Sequence, residues 1–342
     1  MSADDTARRR LPRGTVPAAV GAFLLTLAAM LPLYVYDRVA VLPAQGRFEV
    51  TMVADGAGYL DTSRWEWVDG VRIIRNTSVS AQPHGPDWSA WEMSVDTVAE
   101  GAMIDHWSRR VIVDRGTGRS VNCCGEHVNG DRAVRQAGLV FSWPAGVGEA
   151  DHPFYDAEVR AAPLMEFEGT DEVAGLSVRR YTQEVSATQV PESAREVPAR
   201  LFTPGAQGTV TAGRWLQVVR TYWVEPVTGT VVNTHEARLE TLRPQNADGE
   251  VHLLYAELGL RENQIAGRAE QARVRSLTLR ALESWAPWAL GPAGGLLLAA
   301  GAVLALRDRS RGGGRAGDGA PAVADAKAAD SGETGGNRVP SA

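Results

Sequence analysis

The two cysteines of this 342-residue chain are adjacent, in Asn122-Cys123-Cys124-Gly125-Glu126, and His127 follows directly. Thiols and an imidazole at that spacing offer three chemistries. The first is a Cys123–Cys124 disulfide. Neighbouring Cα atoms lie about 3.8 Å apart across a trans peptide, below the roughly 4.4–6.8 Å of ordinary disulfides. Such a ring would be strained and comparatively reducible, and Gly125 would help the chain turn there. The second is a pair of free or intermolecular thiols. The third is a redox or metal role, for which one adjacent pair falls short of a four-ligand zinc site. His127 stands three residues after Cys124, close enough for a thiol–imidazole pair, although a surface turn histidine explains it equally well.

Carboxylates form the other candidate set. Val111 to Asn122 and Tyr222 to Asn233 match at a constant offset, pairing Val113 with Val224, Asp114 with Glu225, Thr117 with Thr228, Gly118 with Gly229, and Asn122 with Asn233. Paired acids can do general acid–base work. Here a strand–turn–strand accounts for every matched residue: the acid and Thr bond turn amides, and Gly takes positive φ. The match also hints at two similar β-halves. The histidines are His84, His106, His127, His152, His235 and His252. None stands in H-E-x-x-H, and the chain has neither G-x-S-x-G nor a P-loop. A non-enzymatic protein without cofactor or metal is expected.

Two charge-free apolar runs set the frame. Val16 to Tyr36 and Trp285 to Leu306 are each long enough to cross about 30 Å of hydrocarbon as a helix. Arg8, Arg9, Arg10 and Arg13 precede the first; Arg307, Arg309, Arg311 and Arg315 follow the second. Positive flanks stay cytoplasmic, so both termini are expected inside and residues 37–284 outside. Tyr34, Tyr36, Trp285 and Trp288 sit where an interfacial aromatic belt belongs. The first run is read as a retained signal anchor rather than a cleaved leader. Pro32, Pro287 and Pro292 are expected to kink the helices.

The net charge is −6, and residues 37–284 carry 25 basic against 34 acidic side chains. That excludes a whole-chain nucleic-acid binder. Two cysteines exclude a disulfide-dense scaffold. The outer part alternates short Val-, Ile-, Thr- and Trp-rich runs with Gly, Pro and Asp turns, as in Val71–Ser80, Ala90–Val95, Leu176–Val185 and Thr230–His235. These predict a mostly β fold, an antiparallel β-rich extracytoplasmic domain (37–258) between two transmembrane α-helices (16–36 and 285–306). A juxtamembrane helix (259–284) is read as a stalk. Residues 1–15 form a cytoplasmic N-terminus, and 307–342, poor in large apolar residues, a disordered tail.

The stretch Asn122-Cys-Cys-Gly125-Glu126-His-Val-Asn-Gly-Asp131, the turn Trp223-Val-Glu225-Pro226-Val-Thr228-Gly229, Phe154 to Asp156, Gly175 to Tyr181 and one span at each end resemble the actinobacterial DUF3068 family, also labelled the porin PorA family. The resemblance covers residues 16–306 and implies a cell-envelope membrane protein, with no catalytic residues to carry over. The W-V-[DE]-P-x-T-G turn is also similar to envelope lipid carriers, whose curved sheets surround an apolar cavity, and the two-span layout is similar to CD36-type lipid receptors. Three readings follow. In the first, the outer domain binds a lipid or other apolar envelope ligand in a cavity lined by apolar inward-facing residues, with charges on the outer faces. The second is an envelope scaffold without a small ligand. The third takes the pore label literally, against which stand two apolar helices without an ionisable residue. Membrane lipids are the expected partners, and no nucleic acid.

Overall fold

A computed structural model describes residues 13–312. The arginines at positions 8–10 and 315, and the tail beyond 312, lie outside the described residues. The described residues divide into residues 27–290 and a second unit made of residues 13–26 and 291–312.

The larger unit is built on antiparallel strands. Four long ones come first: β1 (Gly46–Asp61), β2 (Glu66–Pro83), β3 (Trp88–Ala99) and β4 (Ala102–Asp114). A long insert, residues 115–163, holds only β5 (His127–Val128) and β6 (His152–Pro153). Then come β7 (Leu164–Val173), β8 (Leu176–Gln189), β9 (Arg195–Pro198), β10 (Thr209–Glu225), β11 (Thr230–Pro244) and β12 (Val251–Leu260). They form one open sheet in the order β5-β4-β3-β2-β1-β12-β11-β10-β8-β7-β6, with β9 on β10. The expected antiparallel β-rich fold is what the chain forms.

The sheet curls strongly. Asp105 on β4 and Arg214 on β10 are six strand steps apart, which would be about 29 Å in a flat sheet. Their side chains meet at 3.1 Å. Period-2 alternation decides which residues the curl encloses. On β3 these are Trp91, Met93, Val95, Thr97 and Ala99. On β11 they are Thr234, Glu236, Arg238, Glu240 and Leu242, while exposed His235 points the other way. The expected rule of apolar inside and charged outside therefore fails on β11 and β10. Their inward charges are buried against partners of opposite sign, which is how a buried charge is tolerated.

The insert fills the enclosed space. Val140 and Tyr155 pack on Trp91, Met93, Val111 and Val113. Leu139, Trp143 and Phe154 pack on Met165, Tyr181 and Val224. A long segment with so little regular structure inside a domain is normally held there by function or by specific contacts. Here the contacts are abundant.

Two helical stretches, Thr15–Val39 and Glu262–Ser310, are long and apolar enough to cross a membrane. The first comprises α1 (Thr15–Met30), a wider π-helical turn at Leu31–Val35 and α2 (Tyr36–Val39). The second comprises α3 (Glu262–Arg280), a π-helical turn at Ala281–Trp285 and α4 (Ala286–Gly312). Pro32 lies in the first wide turn and Pro287 just after the second, where a missing N–H disturbs the i→i−4 ladder. Pro292 stands inside α4. Phe23, Leu33, Trp288 and Leu296 are each more than 60% exposed, as side chains facing lipid would be. Helix α4 runs on to Gly312, past the point at which a structureless tail was expected.

Helix α3 does not stand free as a stalk. Ala269 and Ala272 are buried against Val178 and Val232, and Ile265 and Trp223 close the contact. Small residues let the helix lie close to the sheet. Arg268, Arg273 and Arg275 then donate to the carbonyls of Val231, Ala174 and Val41.

In the smaller unit the two helices pack antiparallel through glycine. A Cβ on Gly14 would lie 2.2 Å from the Gly301 carbonyl, and one on Gly21 would lie 2.6 Å from the Gly294 carbonyl. Small residues at such a seam let membrane helices approach backbone to backbone.

Candidate functional site

A cavity of about 540 Å³ opens between the inner face of the curled sheet and α3. Sheet and insert, with Leu42 from the segment before β1, supply an apolar wall of Leu42, Phe48, Val50, Trp91 and Phe141. Alternation on β1 points Phe48 and Val50 inward, and the Phe141 ring meets Trp91 edge-on at 5.7 Å between centroids. Helix α3 supplies a polar wall: Gln264, Arg268, Gln271 and Arg275 recur at helical spacing and share one face. Tyr222, Thr228 and Thr234 close one end. A second cavity of about 670 Å³ lies around Asp61, Arg64, Met103, Asp105, Arg195 and Arg214.

A lattice of ion pairs separates the two. At its centre is Glu158 of the insert, which accepts from Arg75 at 2.9 Å, from Arg238 at 2.5 Å, and from Arg214. Arg238 also reaches Glu236 at 2.9 Å and Glu240 at 2.5 Å. Arg220 bonds Glu236 at 2.7 Å and Asp156 of the insert at 2.5 Å. Burial opposes the charge on Glu158, but Arg238, Arg75 and Arg214 hold its carboxyl well below the usual range. Glu236 is held likewise, at about 2, against burial by Arg220, Arg238 and Arg75. Asp105 goes the other way: burial raises it, and the pull of Arg214 is offset by Glu158 and Glu240. Arg109, fully enclosed, meets Met93 Sδ and the Val140 carbonyl rather than a carboxylate, and burial lowers it to about 10. Guanidinium groups pairing several carboxylates at once make a rigid, directional lattice.

The cysteines pair with each other, Cys123 with Cys124, at a Cα separation of 3.8 Å. The imidazole brought to them is His84, at the end of the β2–β3 hairpin, with ligand atoms of all three within 4.8 Å of one another. His127 instead accepts a long bond from its own turn, Gly130 N–H at 3.4 Å. Nothing in the spacing of His84 from the cysteines pointed to this meeting. It follows from β3 pairing between β2 and β4.

The chain matches the family model described as Porin PorA across residues 14–303. It belongs to the PorA family. A curated relative, named Porin PorA, from Corynebacterium resistens (strain DSM 45100 / JCM 12819 / GTC 2026 / SICGH 158), is 22% identical over 281 residues, covering 63% of this chain and 68% of the relative.

The residues that carried the resemblance to the PorA family serve as fastenings. Asn122, at φ 60°, clamps Gln136 by donating to its carbonyl at 2.6 Å and accepting its N–H at 2.9 Å. Gly125 has φ 87° and follows Cys124 at φ 64°. Glu126 accepts from Ile112 N–H at 2.7 Å, and burial raises its pKa. Asp131 bonds Arg160 at 2.8 Å. Trp223 donates to Asp171 at 2.9 Å. Glu225, before Pro226, accepts from Val227 N–H, Thr228 N–H and Thr228 Oγ1 at 3.2, 2.8 and 2.7 Å. Asp114 caps its own turn in the same way, through Gly116, Thr117 N–H and Thr117 Oγ1. The two matched turns share geometry but not context: the second joins long paired strands β10 and β11, whereas the first leads only to a bridge between Val113 and Ser120.

Proposed function

We propose that this PorA-family protein is a non-enzymatic, two-span protein of the cell envelope whose extracytoplasmic β domain holds a lipid or other amphipathic envelope molecule in the cavity beside α3. The observation that carries this reading is the cavity itself. Its volume falls within the range of about 300–1,000 Å³ usual for small-molecule sites, with one apolar wall and a few convergent polar groups. A domain tied to the membrane at both ends cannot shuttle, so it receives, holds or passes its ligand near the bilayer surface. Antiparallel packing of the terminal helices at Gly14–Gly301 and Gly21–Gly294 supports both termini lying on one side, and the flanking arginines favour the cytoplasm.

The name Porin PorA offers the second reading. Against conduction through the β domain stands the lattice around Glu158, which lies across the interior between the two cavities. Native mass spectrometry of the full-length chain, gently extracted from its own envelope, tests the binding reading. A reproducible lipid adduct removed by delipidation is expected. A clean apo mass would leave the scaffold role as the better account.

A further inference from the structure

The charges around the α3 cavity identify the class of ligand. They are Arg47, Arg268 and Arg275 against the single acid Glu49. The outer domain as a whole carries nine more acids than bases. A cavity with a positive excess inside an acidic domain is a local reversal that core packing does not require.

Two of these arginines are half-buried on α3, seven residues and two turns apart, hence about 10 Å along the axis and on one face. Among the described residues neither has a carboxylate partner. Arg268 Nη1 donates to the Val231 carbonyl at 3.1 Å, and Arg275 Nη2 to the Val41 carbonyl at 2.9 Å. Each bond uses one of five guanidinium donors. Burial lowers the pKa of both; at Arg275 the charge of Glu225 offsets this only in part, and no ion pair joins the two. Arg220 and Arg238, buried nearby, are each engaged by two or three carboxylates, whereas fully enclosed Arg109 has none but, unlike Arg268 and Arg275, does not line the cavity. Half-buried guanidiniums with spare donors, facing a cavity whose other wall is Phe48, Val50, Trp91 and Phe141, match a molecule that is acidic at one end and apolar along the rest.

Building on the reading of this cavity as a ligand site, we infer that its ligand is an anionic amphiphile. The carboxylate or phosphate head lies along α3 between Arg268 and Arg275, and the chain lies against Phe48, Trp91 and Phe141.

The test uses the full-length chain in a neutral detergent and two probes, a brominated long-chain fatty acid and the corresponding fatty alcohol. Bromine quenches nearby indole fluorescence, so the part of the quenching lost in Trp91→Phe reports occupancy of this cavity. The acid is expected to bind about tenfold or more tightly than the alcohol, the scale of one or two charge-assisted hydrogen bonds. Arg268→Gln with Arg275→Gln should erase that preference, weakening the acid by about the tenfold that separated it from the alcohol. Arg268→Lys with Arg275→Lys, which keeps the charge, should retain most of it. Acetate and inorganic phosphate, having no chain, should displace the fatty acid only at far higher concentration. Equal Trp91-dependent quenching by acid and alcohol would overturn the anionic assignment and leave the cavity a lipid site. Displacement by phosphate at concentrations matching the fatty acid would replace the amphiphile by a small anion. No Trp91-dependent quenching by either probe would overturn both the assignment and the proposed function.

Discussion

Glu158 and Arg238 stand 80 positions apart and meet at 2.5 Å with almost no solvent exposure on either side chain. The first belongs to the insert and the second to β11. Their contact joins the long insert, with its little regular structure, to the middle of the sheet.

Replacing Glu158 by Gln should destabilise the domain severely. The change leaves Arg75, Arg214 and Arg238 short of their shared anion, and breaking a buried pair from one side costs about 3–5 kcal/mol. Denaturant midpoints of the full-length variant, read by protease resistance, check this. A loss below about 1 kcal/mol would mean that the lattice relaxes around the missing charge.

Asp105 sits in the same lattice and should respond with the opposite sign. Its raised pKa means that the fold disfavours its charged form. Asp105→Asn should therefore be neutral or stabilising at pH 7, in the assay in which Glu158→Gln is damaging. Equal damage from both would refute this division of roles.

Acid should loosen the domain over a defined window. Glu158 and Glu236 have depressed folded-state pKa values, so their contribution is complete above the unfolded value of about 4.3. It is lost as pH falls from there toward about 2, the folded value of Glu236. Circular dichroism against pH should show a cooperative loss in that interval. Unfolding centred above pH 5 would point to other groups.

Gly229→Ala should be worse than Gly118→Ala. Both glycines have positive φ, but a Cβ at 229 would lie 2.2 Å from the Trp143 carbonyl, whereas one at 118 would lie 2.9 Å from that of Ser142. The order of the two melting temperatures decides it.

Both ends of the chain should report from the cytoplasm. Reporters that work only there, fused separately to the N- and C-terminus, are expected to be active in each case. A silent C-terminal fusion on an expressed chain would reverse the assignment of α4.

The apolar helices and the strands were legible because their signals are local. An unbroken apolar run and a Val- or Trp-rich alternation need only neighbours in sequence to be read. The turn at Glu225 was legible for the same reason, since acid, Thr and Gly bond within five residues. The interior was not legible. On β11 the series Glu236, Arg238, Glu240 alternates as a solvent-exposed face would, and only the curl of the sheet, with Glu158 brought across from the insert, makes it the inside. The meeting of His84 with the cysteines was hidden too, because it depends on strand order. The cavity combines β1, β3, the insert and α3, so no single segment announces it.

The curled sheet brings inward Arg75, Arg214, Arg220 and Arg238, and its own acids among them are Asp105, Glu236 and Glu240. The insert adds Asp156 and Glu158, which pair with all four of these arginines, and so acts as a built-in counter-ion. Its partners lie on both sides of it in the chain, Arg75 before and Arg214, Arg220 and Arg238 after. Neutralisation must then wait until β10 and β11 have folded beside β2. A chain halted in mid-synthesis would hold an acidic segment with Arg75 in place and Arg214, Arg220 and Arg238 yet to arrive.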